Sequence, residues 1–144
     1  MTVSADIVRV ARGWLGTPYA HQASLMGVGA DCLGLVRGVW RGIHGSEPEA
    51  PPPYAPGWAE EGGQEAMLQA ARRHLEEVPC TEFRGGDVLL FRWRPHLPAK
   101  HAGIATSHCT MIHAQEGALV AEFTLSRWWL RHLCFAFRFP GVDA

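Results

Sequence analysis

The sequence predicts an α+β domain, with helices packed on an antiparallel sheet. Two observations carry this. Apolar residues recur at steps of three and four through the first third of the chain. From Gly85 onward the pattern changes to short apolar runs between turn residues, the mark of strands. Helices first and strands later favour an antiparallel sheet over alternating βαβ units. The 144 residues fit one domain, residues 1–144, long enough to bury a core without staples.

Composition excludes several classes. At 47% hydrophobic and 19% charged the chain is not a disordered one. A net charge of −1 gives no long-range pull toward nucleic acid or an anionic membrane, so neither is expected as a partner. No apolar run reaches the roughly 20 residues that span a bilayer. The first residues alternate charged and apolar groups, unlike a signal peptide, so the chain is expected to be made in the cytoplasm with its thiols reduced. The four cysteines, at 32, 80, 109 and 134, have no C-x-x-C spacing, and the eight histidines no metal-motif spacing.

Ser4 is expected to cap a first helix carrying Ile7, Val8, Ala11, Trp14 and Leu15, ended by Gly16-Thr17-Pro18. Tyr19 and a Gly-rich loop follow. Asp31 then reads as the N-cap of a helix running to about Ile43, with Cys32 at its first position. The positive end of the helix dipole favours a thiolate there, so a lowered thiol pKa is expected. Of the four cysteines, Cys32 is therefore expected to be alkylated fastest. Gly34 and Gly38 each cost about 1 kcal/mol against alanine in a helix, which predicts close approach of another element. A small buried hydrophobe is the alternative reading of Cys32.

Residues 46–58, with five prolines, read as an extended loop, and residues 59–77 as a third helix. Strands are expected at 87–91, 101–106, 110–115, 118–123 and 134–139, the last with one buried face. Residues 126–131 read as a short helical turn. Arg92, Arg94 and Lys100 make the loop at 92–100 basic, and one of the two arginines is expected to meet substrate carboxylates.

The hairpin can be registered from its pattern. A three-residue connection, 107–109, pairs Ile104 with Ile112 and sets His101 and His113 on the opposite face as diagonal neighbours. Such neighbours lie about 7–8 Å apart at the backbone. Two histidines there could bind a metal with Cys32 as a third ligand, or serve a thiolate as base and orienting group.

Several segments carry a resemblance to the NlpC-type cell-wall peptidases, small papain-like cysteine enzymes acting on peptidoglycan stem peptides. Leu15-Gly16-Thr17-Pro18-Tyr19 resembles the family's L-G-x-P-Y stretch, and Asp31-Cys32-Leu33-Gly34-Leu35-Val36 its D-C-S-G-L-V motif. Residues 86–91, 101–105 and 111–114 resemble its G-D-L-v-f-f strand, its H-V-G-I-Y strand and its third catalytic strand. The resemblance implies a papain-like fold with Cys32 as nucleophile, His101 as base and His113 as third member. It also implies an oxyanion and substrate-binding side formed by Tyr19 with Asp31 and Leu33. Leu33 stands where the family has serine, which removes a hydroxyl from the cleft. No metal or cofactor is implied.

The D-C-x-G-L-V-R form is most similar to the subset carried by phage tails and gene transfer agents. This implies cleavage of the D-glutamyl–diamino-acid bond of stem peptides, a place on the tail tip, and tail hub or baseplate proteins as partners. The alternatives are an idle structural tail component, or an amidase or acyltransferase on the same scaffold.

Overall fold

The computed structural model describes residues 2–48 and 65–143. Its centre is a six-stranded antiparallel sheet in the order β4-β9-β5-β6-β7-β8. The strands are β4 (Glu76–Val78), β5 (Val88–Phe91), β6 (His101–Ala105), β7 (Thr110–His113), β8 (Ala121–Thr124) and β9 (Leu133–Arg138). Helices α1 (Ser4–Arg12), α2 (Cys32–His44) and α3 (Ala66–His74) precede them, and α4 (Arg127–His132) lies between β8 and β9. Two small pairs complete it: β1 (Thr2–Val3) runs parallel to β10 (Val142–Asp143), and β2 (Ser24–Leu25) antiparallel to β3 (Gly29–Ala30).

Each sheet face is buried against its own apolar cluster. Ile7, Leu35, Val39 and Met67 from the helices, with Trp14 from the turn after α1, meet Val88, Leu90, Ile104, Ile112 and Phe137 on one face. On the other, Leu89, Phe91, Ala105, Met111 and Ala136 are covered by Trp129, Phe123 and Phe83. All four residues of β5 are buried, as its continuous apolar run requires. The final strand was expected to bury one face; both are covered, because α4 folds back over the second.

The two helix glycines meet what their spacing demanded. A Cβ on Gly34 would stand 1.8 Å from the Ala23 carbonyl oxygen, and one on Gly38 1.9 Å from the Trp14 ring. The turn that follows α1 thus packs on α2 through Trp14 at Gly38, and the 20–30 loop seats on α2 at Gly34. Helix α2 ends at Gly45, whose φ of 87° no side chain adopts easily.

Other expectations are corrected. The first helix is capped not by Ser4 but from within: Val3 N–H donates to the Asp6 carboxylate at 2.9 Å. Leu15, expected on the apolar stripe, is 42% exposed, since the chain has already turned at Gly13. The third helix stops at His74. Leu75 turns extended and Glu76–Val78 pairs with β9 as an edge strand, so sheet pairing overrides the helical pattern there. Residues 59–64 of that expected helix, and most of the proline-rich stretch, lie outside the described residues. The strand expected at 118–123 begins at Ala121, because Leu119 bridges to Pro18 and Val120 N–H donates to Thr17 O.

Candidate active site

Cys32 stands at the first position of α2. Asp31 caps the helix: its carboxylate accepts from Gly34 N–H at 2.7 Å and from Gln22 N–H at 2.7 Å. Asp31 is 4% exposed, and both its oxygens accept from backbone N–H groups. The same cap draws the 20–30 loop onto the helix. Ala20 N–H donates to Ala30 O, and Tyr19 forms a bridge with Ala30 in parallel sense. Tyr19 is thereby fixed beside the start of α2.

Strand β6 begins with His101. The hairpin has the anticipated register, with Ile104 opposite Ile112 and Ala105 opposite Met111. It sets His101 Nε2 and His113 Nδ1 2.8 Å apart, a hydrogen bond between rings that meet edge-on. Gly103 in β6 makes room for a side chain other than these rings. A Cβ there would collide with the Met111 sulfur at 2.3 Å, so the glycine admits Met111.

A cavity of about 210 Å³ is lined by Cys32, His101, Tyr19, Leu33, Asp31 and Trp93, together with His21, Lys100 and residues 114–116. The Cys32 thiol donates to Lys100 O at 3.9 Å, which places it at the residue preceding His101. His113 does not line this cavity; it lies behind His101. A larger cavity of about 360 Å³, mainly apolar, lies between α2, α3 and the sheet, and Leu33 lines both.

Electrostatics depart from the sequence expectation. Burial pushes the Cys32 thiol up to about 11, against the backbone N–H groups of Ala102, Leu33 and Cys32 itself, which favour the thiolate. Burial outweighs the helix terminus, so the thiol rests neutral. His101 is pushed down to about 3 by burial, then by the charges of His113 and Lys100. Burial takes His113 down to about 4. Tyr19 is raised to about 12, chiefly by burial and then by the charges of Asp31 and Cys32, so its hydroxyl keeps its proton and can donate. At rest the thiol and the imidazole that line this cavity are both neutral.

Sequence reasoning missed what surrounds the histidines. Trp93 stacks on His101 with ring centres 5.5 Å apart, Trp129 stands edge-on to His113 at 5.2 Å, and Phe123 covers His113 at 4.6 Å. This aromatic shell is the low-dielectric wall that keeps both rings neutral. Its only signal was the paired tryptophans of the helical turn, whose inward side the pattern did not reveal. The loop at 92–100 reaches the cavity through Trp93 and Lys100, not through the arginines singled out for it. Arg92 instead pairs with Glu65 at 3.3 Å and lies over the Phe135 ring, and Arg94 is exposed outside the cavity lining. Among the described residues no three histidine, cysteine or acidic side chains are grouped so as to hold a metal ion.

Residues 16–138 match the NlpC/P60 family. In fold, the chain is similar to the NlpC/p60 domain of the peptidoglycan hydrolase SagA, with a TM-score of 0.65 and 23% identity over 94% of this chain and 98% of that one. It is also similar to an NLP/P60 family protein, described as similar to a lipoprotein, from Staphylococcus aureus (TM-score 0.65, 22% identity, 94% of this chain and 41% of that). An NlpC/P60 family protein from Bacillus cereus gives a TM-score of 0.68 at 20% identity, over 95% of this chain and 40% of that. The chain thus spans under half the length of the last two proteins. No protein with a curated description matches it. With the sheet, the helix-borne cysteine and this match over most of its length in hand, the chain belongs to the NlpC/P60 family.

Proposed function

We propose that this chain is a cysteine endopeptidase that cleaves peptidoglycan stem peptides at the D-glutamyl–diamino-acid bond. One observation carries the chemistry: the His101–His113 hydrogen bond of 2.8 Å backs a cavity whose lining holds both His101 and Cys32. If His101 donates from Nε2 to His113 Nδ1, its own Nδ1 is left as a lone pair able to take the thiol proton. The thiolate then attacks the scissile carbonyl carbon. The oxyanion is met by the Cys32 backbone N–H and the Tyr19 hydroxyl. Imidazolium returns its proton to the leaving amine, a thioester remains, and water activated by His101 hydrolyses it. His113 keeps the ring oriented through both steps. Membership of the family, and likeness to a domain of a peptidoglycan hydrolase, support the wall as substrate. The D-C-x-G-L-V-R form supports a place on the tail tip of a phage or gene transfer agent, with hub or baseplate proteins as partners and action in the periplasm of the target cell.

The test is digestion of purified peptidoglycan by the wild type and by Cys32→Ala, read by mass spectrometry. Fragments cut between D-glutamate and the diamino acid, absent with the variant, are expected. No Cys32-dependent product would favour an idle structural component. Activity confined to other amides would favour an amidase or acyltransferase.

A further inference from the structure

Strands β4 and β9 pair Glu76 with Arg138, Glu77 with Phe137 and Val78 with Ala136. The ladder ends there; carried two residues further, its register would bring Cys80 toward Cys134. Neither residue is locked by the ladder. Glu82 N–H donates to Pro79 O at 2.9 Å, so Cys80 sits at the first corner of a turn. On the other flank of β9, Leu90 pairs with Phe135 and Phe91 with Leu133, which leaves Cys134 as the extra residue of a bulge. A bulge re-aims its side chain and leaves it without an opposite residue.

Both thiols are free and half-buried. Cys134 also feels the charge of Cys80. The Cys134 thiol is raised by burial, lowered by a hydrogen bond and the charge of Arg92, and raised again by the charge of Cys80. Facing residues of an antiparallel pair hold their Cβ atoms about 4.5–5.5 Å apart. A disulfide needs about 3.5–4.5 Å. Closing the bond takes the Cys134 thiol off Leu90 O, to which it donates at 3.3 Å, and a local shift that a turn corner beside a bulge can supply.

We propose that Cys80 and Cys134 form an intramolecular disulfide when the protein meets a low-molecular-weight disulfide such as oxidised glutathione. The Cys80 thiolate attacks one sulfur of the oxidant, forming a mixed disulfide and expelling one glutathione thiolate. The Cys134 thiolate, favoured by Arg92, then attacks the Cys80 sulfur, closes the protein S–S bond and expels the second. The two cysteine protons end on two glutathione thiols, and the oxidant takes both electrons. The bond staples the edge strand β4, which among the described residues pairs only with β9, beyond the end of its ladder. It also closes a loop containing β5 to β8, and hence both site histidines. Cys32 takes no part.

The experiment oxidises the reduced full chain with oxidised glutathione, then measures intact mass, maps peptides and records thermal unfolding with and without reductant. The expected result is loss of two hydrogens, a peptide holding Cys80 joined to the one holding Cys134, and a midpoint raised by several degrees that reductant reverses. Cys80→Ser should abolish the link and the shift, while Cys32→Ala should keep both. Four free thiols after treatment, glutathione persisting on either cysteine, or a link to Cys32 or Cys109 would overturn the proposal. Peptidoglycan digestion by the reduced protein is independent of this outcome.

Discussion

Cys32 is a half-buried, neutral thiol, and that changes how it should react. Its thiolate fraction should rise about tenfold per pH unit across neutrality, because the thiol is held at about 11. Iodoacetamide labelling of Cys32 should climb steadily to that range, whereas an ion pair formed at rest would give a plateau near neutrality. Cys109 is exposed, so in the native protein it should label before Cys32 at pH 7, the reverse of the sequence expectation. The histidines give a second pH signature. His101 stays neutral down to about 3 and His113 to about 4. The acid limb of kcat/KM should therefore lie well below pH 6.5, and a limb at an ordinary histidine value would contradict the buried pair. The sign for stability follows: the unfolded chain binds protons near pH 6.5 that the folded chain refuses. Stability is full above 6.5 and falls as pH drops toward 4, by up to about 1.4 kcal/mol per unit for each histidine. Chemical unfolding at pH 7 and pH 5 measures this. In rate, His101→Ala should cost about 10²- to 10⁴-fold in kcat, the range of a general base. His113→Ala should cost less, and His113→Asn less again, with circular dichroism unchanged. Equal losses at the two positions would count against their assigned roles.

At the scale of elements, two devices hold the site in place. The first is the packing of Trp14, in the turn after α1, on α2 at Gly38. Alanine there gains about 1 kcal/mol of helix propensity but must displace the Trp14 ring, an overpacking cost of about 1–3 kcal/mol. Gly38→Ala should therefore lower the unfolding midpoint, while Gly45→Ala should do so through its positive φ instead. The second device is Asp87, 1% exposed at the head of β5, which takes Arg138 Nε at 3.0 Å and Nη2 at 2.9 Å and accepts from Arg84 N–H at 2.9 Å. Asp87→Ala leaves a guanidinium and a backbone donor without their acceptor. It should cost about 3 kcal/mol, measured by urea unfolding. Since β5 pairs with β6, the loss should also loosen His101.

Across the whole molecule, the sheet presents two sides with separate tasks. One carries α1, α2 and α3 and the larger core. The other carries the aromatic shell that dries the histidines, and Cys32 meets Lys100 O just before β6 begins. The proposed delivery on a particle is tested at this scale too. Purified phage or gene-transfer-agent particles, washed at high salt, should retain the chain by mass spectrometry. Its presence only in the lysate would end the delivery proposal and leave the chemistry as it is.

The hairpin register, the Asp31 cap and the tight glycines of α2 were legible in the sequence, because each follows from local periodicity or from one residue's stereochemistry. Ile104 facing Ile112 required only alternation and a turn length. The fate of residues 76–78 was not legible, since a helical pattern gave way to pairing with a strand some sixty residues away in sequence. Nor was the aromatic shell, which depends on α4 folding back over the sheet. The thiol's pKa was misread for the same reason. Placement at a helix terminus is a local property and points down. Burial depends on everything packed around the sulfur, and it points up. Sequence determined which groups stand at the site and in what order. Only the tertiary structure decided their charge, because the dielectric around a group is set by its neighbours in space.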